Sequence, residues 1–284
     1  MPAPPRFKMN IAEATIPNAR GGIAMTREKP SLPRWKPFFL GDWMRAMFIH
    51  YEVEPAVLQR ETPYELDSFE GRAFVSLVAF TMQRLRPRFG GKLAELFFSP
   101  IATTRYLNVR TYVRHRNRAG IYFIAEFLSN PFCVPLGPPT FGLPYRSGRL
   151  NYRDHRESGR LAGEIRAAGG DWGLRYAAAL EPGAGFRPCQ PGTLNAFLLE
   201  RYIAFTCLGQ KSRLFHIRHE PWPQKSIEVS VWDDGLLATT GGWIHHARFV
   251  GANFSPGVRD VWMEWPQRIH CHRPKRRLTA CFDV

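Results

Sequence analysis

The sequence predicts a mainly β, α+β domain of antiparallel strands with a few short helices, on three observations. Proline and glycine supply 24 residues each in a chain of 284, more punctuation than a helix bundle tolerates and typical of sheet broken by turns. Short runs rich in β-branched and aromatic residues recur between these breaks. The link Arg116-Asn117-Arg118-Ala119-Gly120 between two such runs is too short for a parallel crossover and reads as a hairpin turn.

Taken in order, residues 1–34 are rich in Pro, Ala, Arg and small residues and lack the uninterrupted apolar core of a signal peptide. They read as a flexible extension in which Met25 offers a second start. One domain without internal repeat or linker is expected over 35–268, followed by a basic tail over 269–284. Trp43, Met44, Met47 and Phe48 recur at helical spacing behind Asp42, which predicts a short amphipathic helix ending near His50. Pro55, Val57 and Leu58 predict a further helical turn. Strands are expected over Ala73 to Met82, Arg105 to Arg114, Ile121 to Leu128, Gly148 to Arg153, Gly163 to Ala168 and Trp172 to Leu180. Three more are expected over Arg213 to His219, Ser226 to Val231 and Leu236 to Thr240. A helix over 193–207 interrupts them, capped by Thr193, with Leu194, Phe197, Leu198, Arg201 and Phe205 on one stripe.

With 44% hydrophobic and 22% charged residues, the chain has the apolar material for a large core, and disorder throughout is excluded. The longest apolar run, Phe74 to Met82, has nine residues, short of the roughly 18 that a spanning helix needs. No membrane partner is expected, and the chain reads as cytoplasmic. Five cysteines without a Cys-x-x-Cys pair argue against a disulfide scaffold or a zinc ribbon. The formal charge of +15 sits largely at the ends: residues 1–36 carry +5 and residues 268–284 carry +4, leaving +6 for the 231 residues between. Only seven basic residues are lysine, an arginine bias that coding composition explains as well as phosphate recognition does. Nucleic acid is therefore the lesser partner reading.

Phosphate loops, dinucleotide fingerprints, nucleophile elbows and the His-Glu-x-x-His pattern are all missing from the sequence. His216 and His219 fall on opposite faces of a strand, and the histidines of the tail sit beside a basic run that repels a dication. No metal and no cofactor is expected.

What stands out is a polar set within apolar strands. Asn108, Arg110 and Tyr112 alternate with Leu107, Val109, Thr111 and Val113, so one face is apolar and the other can hydrogen-bond. That polar face meets either bulk water or a polar cavity. Glu126, between Ala125 and Phe127, is either an edge feature or a buried partner for Arg110. His219, just before Pro221-Trp222, either holds a turn or joins the site. Glu200 and Arg201 read as a helix-end ion-pair network.

Seven tracts then occur in register: Phe48-Ile49-His50-Tyr51, Asp67 through Ala73, Asn108 through Val113, Gly120-Ile121-Tyr122-Phe123, Leu143-Pro144-Tyr145, Glu200-Arg201-Tyr202 and His219 through Pro223. Together they resemble the YqjF-like family of bacterial proteins, which is similar in fold to acetoacetate decarboxylase, over roughly Trp35 to Arg268. The resemblance implies an antiparallel β-barrel or double cone with an interior cavity, and it brings no established reaction. The decarboxylase forms a Schiff base through a lysine directly after a Gly-x-Pro turn. Here Gly142-Leu143-Pro144 is followed by Tyr145, which forms no imine but can hydrogen-bond a carbonyl, or act as an acid if its pKa is lowered.

Two functional classes follow. The first is a small-molecule site inside the barrel, with Tyr145 and Glu126 as acid or base and Asn108, Arg110, Tyr112 and His219 holding an acidic or carbonyl-bearing ligand. The second is an interaction module whose basic tails bind nucleic acid or acidic partners.

Overall fold

The computed structural model describes residues 37–155, 158–181, 183 and 185–270. The extension over 1–34, with Met25, and the basic tail beyond His270 lie outside the described residues. Fourteen strands run through the described chain: β1 (Pro37–Val53), β2 (Glu65–Leu66), β3 (Ala73–Pro87), β4 (Thr104–His115), β5 (Arg118–Leu128), β6 (Tyr145–His155), β7 (Arg160–Ala167), β8 (Gly173–Ala179), β9 (Ile203–Leu208), β10 (Lys211–Arg218), β11 (Lys225–Ser226), β12 (Val229–Trp232), β13 (Ala247–Glu264) and β14 (Gln267–Ile269). Five short helices join them: α1 (Pro55–Leu58), α2 (Gly91–Phe98), α3 (Gly137–Phe141), α4 (Leu194–Leu199) and α5 (Gly235–Ala238).

Pairings pass from β5 through β9, β10, β13, β1 and β3 to β4, and β4 pairs back with β5, closing a ring of seven strands. From β5 a second arm, β6–β7–β8–β12, leaves the ring. The fold is therefore mainly β around a closed ring, with antiparallel pairing except at β5. There Ile121 and Tyr122 pair in parallel with β9, and Glu126, Phe127 and Leu128 pair in parallel with β6. The chain returns in the same direction because residues 129–144 make a crossover through α3 instead of a tight hairpin. The expected turn after β4 is a two-residue hairpin, with Arg116 at φ +47° and Asn117 at φ +60°, the left-handed pair that matches strand twist.

Both faces of the ring are buried, and alternation sorts them into two cores. Phe48, Phe74, Val78, Phe80, Tyr106 and Tyr112 belong to the inner cluster, together with Ile121, Phe123 and Trp222. Ile49, Val75, Leu77, Leu107, Val109 and Phe127 face outward and pack with Leu150, Ile165 and Leu174 of the second arm, Leu236 of α5 and Trp243 in the turn before β13. The expected apolar face of β4 is thus the outer one, and its polar face lines the lumen.

Three expected elements differ. The predicted helix at Asp42 is strand β1. Between Met44, opposite Thr81, and Met47, opposite Ala79, two residues face one, and Arg45 takes φ +54°. This bulge resets the inward-outward alternation, so apolar residues at 43, 44, 47 and 48 imitate helical spacing. The helix expected over 193–207 ends at Leu199. Thr193 caps it as anticipated, accepting from the Ala196 N–H at 3.3 Å, but Glu200 leaves helical geometry at ψ +79°. Arg201 Nε then donates to the Phe197 carbonyl at 2.7 Å, and Phe205 lies on β9 beside Tyr64, Val113 and Leu214. Leu236 to Thr240, expected as a strand, is the end of α5 and the turn that follows it. The adjacent Leu236 and Leu237 are both fully buried, which alternation on a half-buried strand forbids. Thr239 and Thr240 hydroxyls donate back to their carbonyls at 2.7 Å each. The sequence reading also had no counterpart for β13 or α2.

Candidate functional site

The ring stacks lumen-facing side chains in layers fixed by register. His50 of β1 lies opposite Ser76 of β3, and Ser76 opposite Arg110 of β4. One layer along, Phe48, Val78, Asn108 and Glu126 line up across β1, β3, β4 and β5. The next layer holds Phe80, Tyr106 and Leu128. A positive and an acidic side chain therefore point into the same lumen, one layer apart.

Arg110 is 6% exposed and lines an enclosed cavity of about 20 Å3 with Trp43, Asn108, Arg201, His219 and Trp222, room for about one water molecule. Its Nη2 donates to the Leu198 carbonyl at 3.0 Å, and its guanidinium carbon lies 5.8 Å from the Phe48 ring centre. No carboxylate pairs with it among the described residues, so the alternative of an Arg110–Glu126 ion pair is not what the structure shows. Burial pulls its pKa down. Four polar atoms within the lumen layers are buried without a hydrogen-bond partner: Trp43 Nε1, Asn108 Oδ1, Arg110 Nε and Glu126 Oε2. Buried polar atoms are nearly always satisfied, so four together mark a place where a further group fits.

Tyr112 stands behind Arg110. Its hydroxyl faces the Leu198 carbonyl at 2.8 Å and also Ser76 Oγ. The chain continues from Ser76 Oγ to His50 Nδ1 at 2.7 Å, and from His50 Nε2 to Asn253 Oδ1 at 3.1 Å. Burial first, then the Arg110 charge, depresses the His50 pKa to about 3, so the ring is neutral. Beside these residues a groove of about 540 Å3 runs past His50, Asn253, Asn195 and Lys225.

His219 belongs to the Arg110 cavity and also holds its turn. Its Nδ1 lies 2.7 Å from the Glu220 carbonyl, which requires the proton on Nδ1 and leaves Nε2 an acceptor. Burial, opposed in part by this bond, and the Arg110 charge bring its pKa down to about 4. Trp43, Tyr202 and Trp222 rings surround it at 5.0–5.8 Å between ring centres. Glu200 fixes that aromatic wall, accepting from the Tyr202 hydroxyl at 2.6 Å and from the Trp222 N–H at 2.9 Å. Arg201 pairs with Asp67 at 2.7 Å, so the pair does not involve its neighbour Glu200. Asp67 in turn receives Arg114 at 2.7 Å.

Tyr145 is brought not to Arg110 but to Tyr106 and Glu126. Glu126 lies opposite Tyr145 on β6 and opposite Asn108 on β4. It is 3% exposed, and burial drives its pKa well above the ordinary carboxylate value, which favours the protonated, hydrogen-bond-donating form. Burial also raises the Tyr145 pKa, so this phenol donates a hydrogen bond and does not release its proton near neutrality. The side chain of Tyr145 packs on Gly137 of α3, where an added Cβ would sit 2.2 Å from a ring carbon. Gly137→Ala is expected to displace the ring and destabilise the fold by about 1–3 kcal/mol, measurable as a lower denaturation midpoint with an altered Tyr145 environment.

Sequence reasoning missed Trp43, His50, Arg201 and Trp222 as lumen residues, although three of the recurring tracts contain His50, Arg201 and Trp222. Of the lysines, Lys92 and Lys211 are exposed and Lys225 pairs with Glu181 at 3.2 Å; none lines the Arg110 cavity. Lys8, Lys29, Lys36 and Lys275 lie outside the described residues. No group of three or more metal-ligating side chains occurs, and no helix is long and apolar enough to cross a membrane, among the described residues.

Comparison with known proteins places this architecture. The chain superposes on acetoacetate decarboxylase from Legionella pneumophila with a TM-score of 0.58 at 14% identity, covering 91% of this chain and 99% of that one. An acetoacetate decarboxylase-like enzyme from Sphingomonas wittichii gives 0.56 at 15% identity over 84% and 95%. The enduracididine biosynthesis enzyme MppR, complexed with pyruvate, gives 0.58 at 13% identity over 84% and 93%. These likenesses establish the fold. In sequence, the chain is 28% identical to the uncharacterised protein YqjF of Bacillus subtilis over 192 residues, 66% of this chain and 76% of that protein. Residues 41–259 match the family described as uncharacterised conserved protein, DUF2071, and the chain belongs to that family.

Proposed function

We propose that the barrel lumen binds a small carboxylate-bearing molecule carrying a carbonyl or hydroxyl group, and that it handles this group without a Schiff base. The observation that carries the reading is the buried Arg110 guanidinium, which has a free Nε and no carboxylate partner among the described residues. A buried guanidinium costs several kcal/mol unless an anion offsets its desolvation. A ligand carboxylate accepting from Arg110 Nε and Trp43 Nε1 supplies that offset. The next layer offers Asn108 and the protonated Glu126 to an oxygen on the adjoining carbon, with Tyr145 donating alongside. His219 Nε2, neutral and facing the same cavity wall, is the available proton acceptor. The closed cavity admits about one water, so an acid enters by displacing the Trp43–Trp222 pair, whose ring centres lie 6.2 Å apart. That the fold neighbour MppR is complexed with pyruvate, a carbonyl-bearing carboxylate, agrees with this chemistry. We place the protein in the cytoplasm, where small acids of this kind are available.

Calorimetric titration tests the reading. Propionate is expected to bind saturably, isosteric propionamide not to bind, and Arg110→Met to abolish propionate binding. Equal binding of acid and amide would overturn it. Borohydride treatment in the presence of acetoacetate is expected to leave every lysine unmodified, checked by mass spectrometry, because no described lysine lines the Arg110 cavity or the pocket beside Tyr145. Glu126→Gln, which imitates the protonated acid, is expected to raise the unfolding midpoint at pH 8 and leave it unchanged at pH 4.5. The sign follows from the raised pKa: the stability that protonated Glu126 retains below the ordinary carboxylate pKa is lost as pH rises.

A further inference from the structure

Beyond the Glu126 layer lies a second chamber of about 240 Å3. Its walls are almost wholly apolar: Phe39, Phe98, Phe141 and Phe215 with Met82 and Leu143 form most of them. Tyr106 and Tyr145 present their rings 6.2 Å apart beside Glu126, and Thr140, also on the wall, donates its hydroxyl to the Leu136 and Gly137 carbonyls. Phe80 and Tyr106, stacked at 5.2 Å, divide this chamber from the Arg110 cavity: Phe80 lines one and Tyr106 the other.

We infer that the ligand of the lumen is an aryl- or branched-alkyl-substituted carboxylate. Its acid group lies at Arg110, its carbonyl or hydroxyl at Glu126 and its apolar body in the second chamber, the Phe80–Tyr106 pair parting to admit it. This inference rests on the proposed carboxylate site and adds the class of molecule it takes. Three observations join. An apolar cavity of about 150 Å3 is enough to hold benzene, so 240 Å3 accommodates a substituted ring. With the Thr140 hydroxyl already donated to backbone carbonyls, the polar side chains left to meet a ligand in the chamber are Tyr106 and Tyr145 beside Glu126, so a ligand with one polar end has a single favourable orientation. Glu126 itself, 3% exposed with Oε2 unpartnered, lies in the layer between the anion-seeking cavity and the apolar chamber. A two-carbon or three-carbon acid leaves the chamber vacant, whereas an aryl acid fills both.

Titration with 3-phenylpropionate, propionate and toluene tests the inference without any turnover. The wild-type protein is expected to bind 3-phenylpropionate at least tenfold more tightly than propionate, and to bind toluene. Ile101→Trp places an indole in the chamber from its half-buried outer wall and is expected to erase the preference for the aryl acid. Leu136→Trp serves the same purpose at a more exposed wall position. Arg110→Met is expected to remove binding of both acids and retain toluene. Equal affinity for the two acids in the wild type overturns the apolar-body inference and leaves the carboxylate reading standing. Binding of 3-phenylpropionate that survives Arg110→Met overturns the spanning geometry, because the ring alone then carries it. Failure of both acids to bind while toluene binds overturns the carboxylate reading and this inference with it.

Discussion

Replacing Arg110 with methionine is expected to stabilise the fold by about 1–4 kcal/mol while abolishing carboxylate binding. Methionine keeps most of the side-chain volume and needs no hydration. The wild-type guanidinium donates to the Leu198 carbonyl at 3.0 Å, and that carbonyl keeps the Tyr112 hydroxyl at 2.8 Å after the change. No carboxylate is orphaned, since none pairs with Arg110 among the described residues. A charge retained at the expense of stability is the signature of a binding group. Urea denaturation of the ligand-free proteins at unchanged m-value reads the difference. A loss of about 3 kcal/mol instead would identify Arg110 as a strut that completes the β4–α4 contact.

The second large effect is on the acid side. His50 and His219 titrate near 3 and near 4 in the folded protein, against about 6.5 when unfolded. Below pH 6.5 the unfolded chain takes up protons that the folded chain refuses. The stability is therefore fully present above about pH 6.5 and drains away as pH falls toward the folded values. Between pH 6.5 and 4.5 the two rings together account for a loss on the order of 5 kcal/mol, comparable to the whole stability of many domains. Denaturant midpoints at pH 7.5, 6.5, 5.5 and 4.5 measure the slope. Imidazole proton resonances of His50 and His219 that stay constant from pH 8 to 5 assign it to these rings. A flat stability profile with both resonances titrating near pH 6.5 would show that the rings are hydrated and that the lumen around Arg110 is open to water.

The strands that carry the site were legible because their alternation is uninterrupted: Asn108, Arg110 and Tyr112 share a face by simple period-two counting, and that face is the lumen. What alternation could not reveal was that the other face is buried as well, under the second arm. β1 was illegible for a local reason, the bulge at Arg45, which slipped the pattern into a helical spacing. The α4–β9 segment was misread because six helical residues are followed at once by an amphipathic strand, and Arg201 and Phe205 extended the stripe by coincidence of spacing. His50 and Trp43, carried on the misread β1, disappeared from the candidate site for that reason alone. Arg201 and Trp222 sit in loops, where no periodicity indicates which way a side chain points. Tyr145 was singled out by its position after Gly142-Leu143-Pro144, but only the β5–β6 pairing shows that it meets Glu126 and not Arg110.

The central claim is that the free Nε of Arg110 awaits a carboxylate, and the Arg110 Nε–H resonance in a proton–nitrogen correlation spectrum reports on that atom directly. Adding propionate is expected to move this resonance downfield in a saturable manner, with propionamide at the same concentration leaving it in place. A resonance that stays fixed while propionate shifts signals elsewhere in the protein would contradict the account.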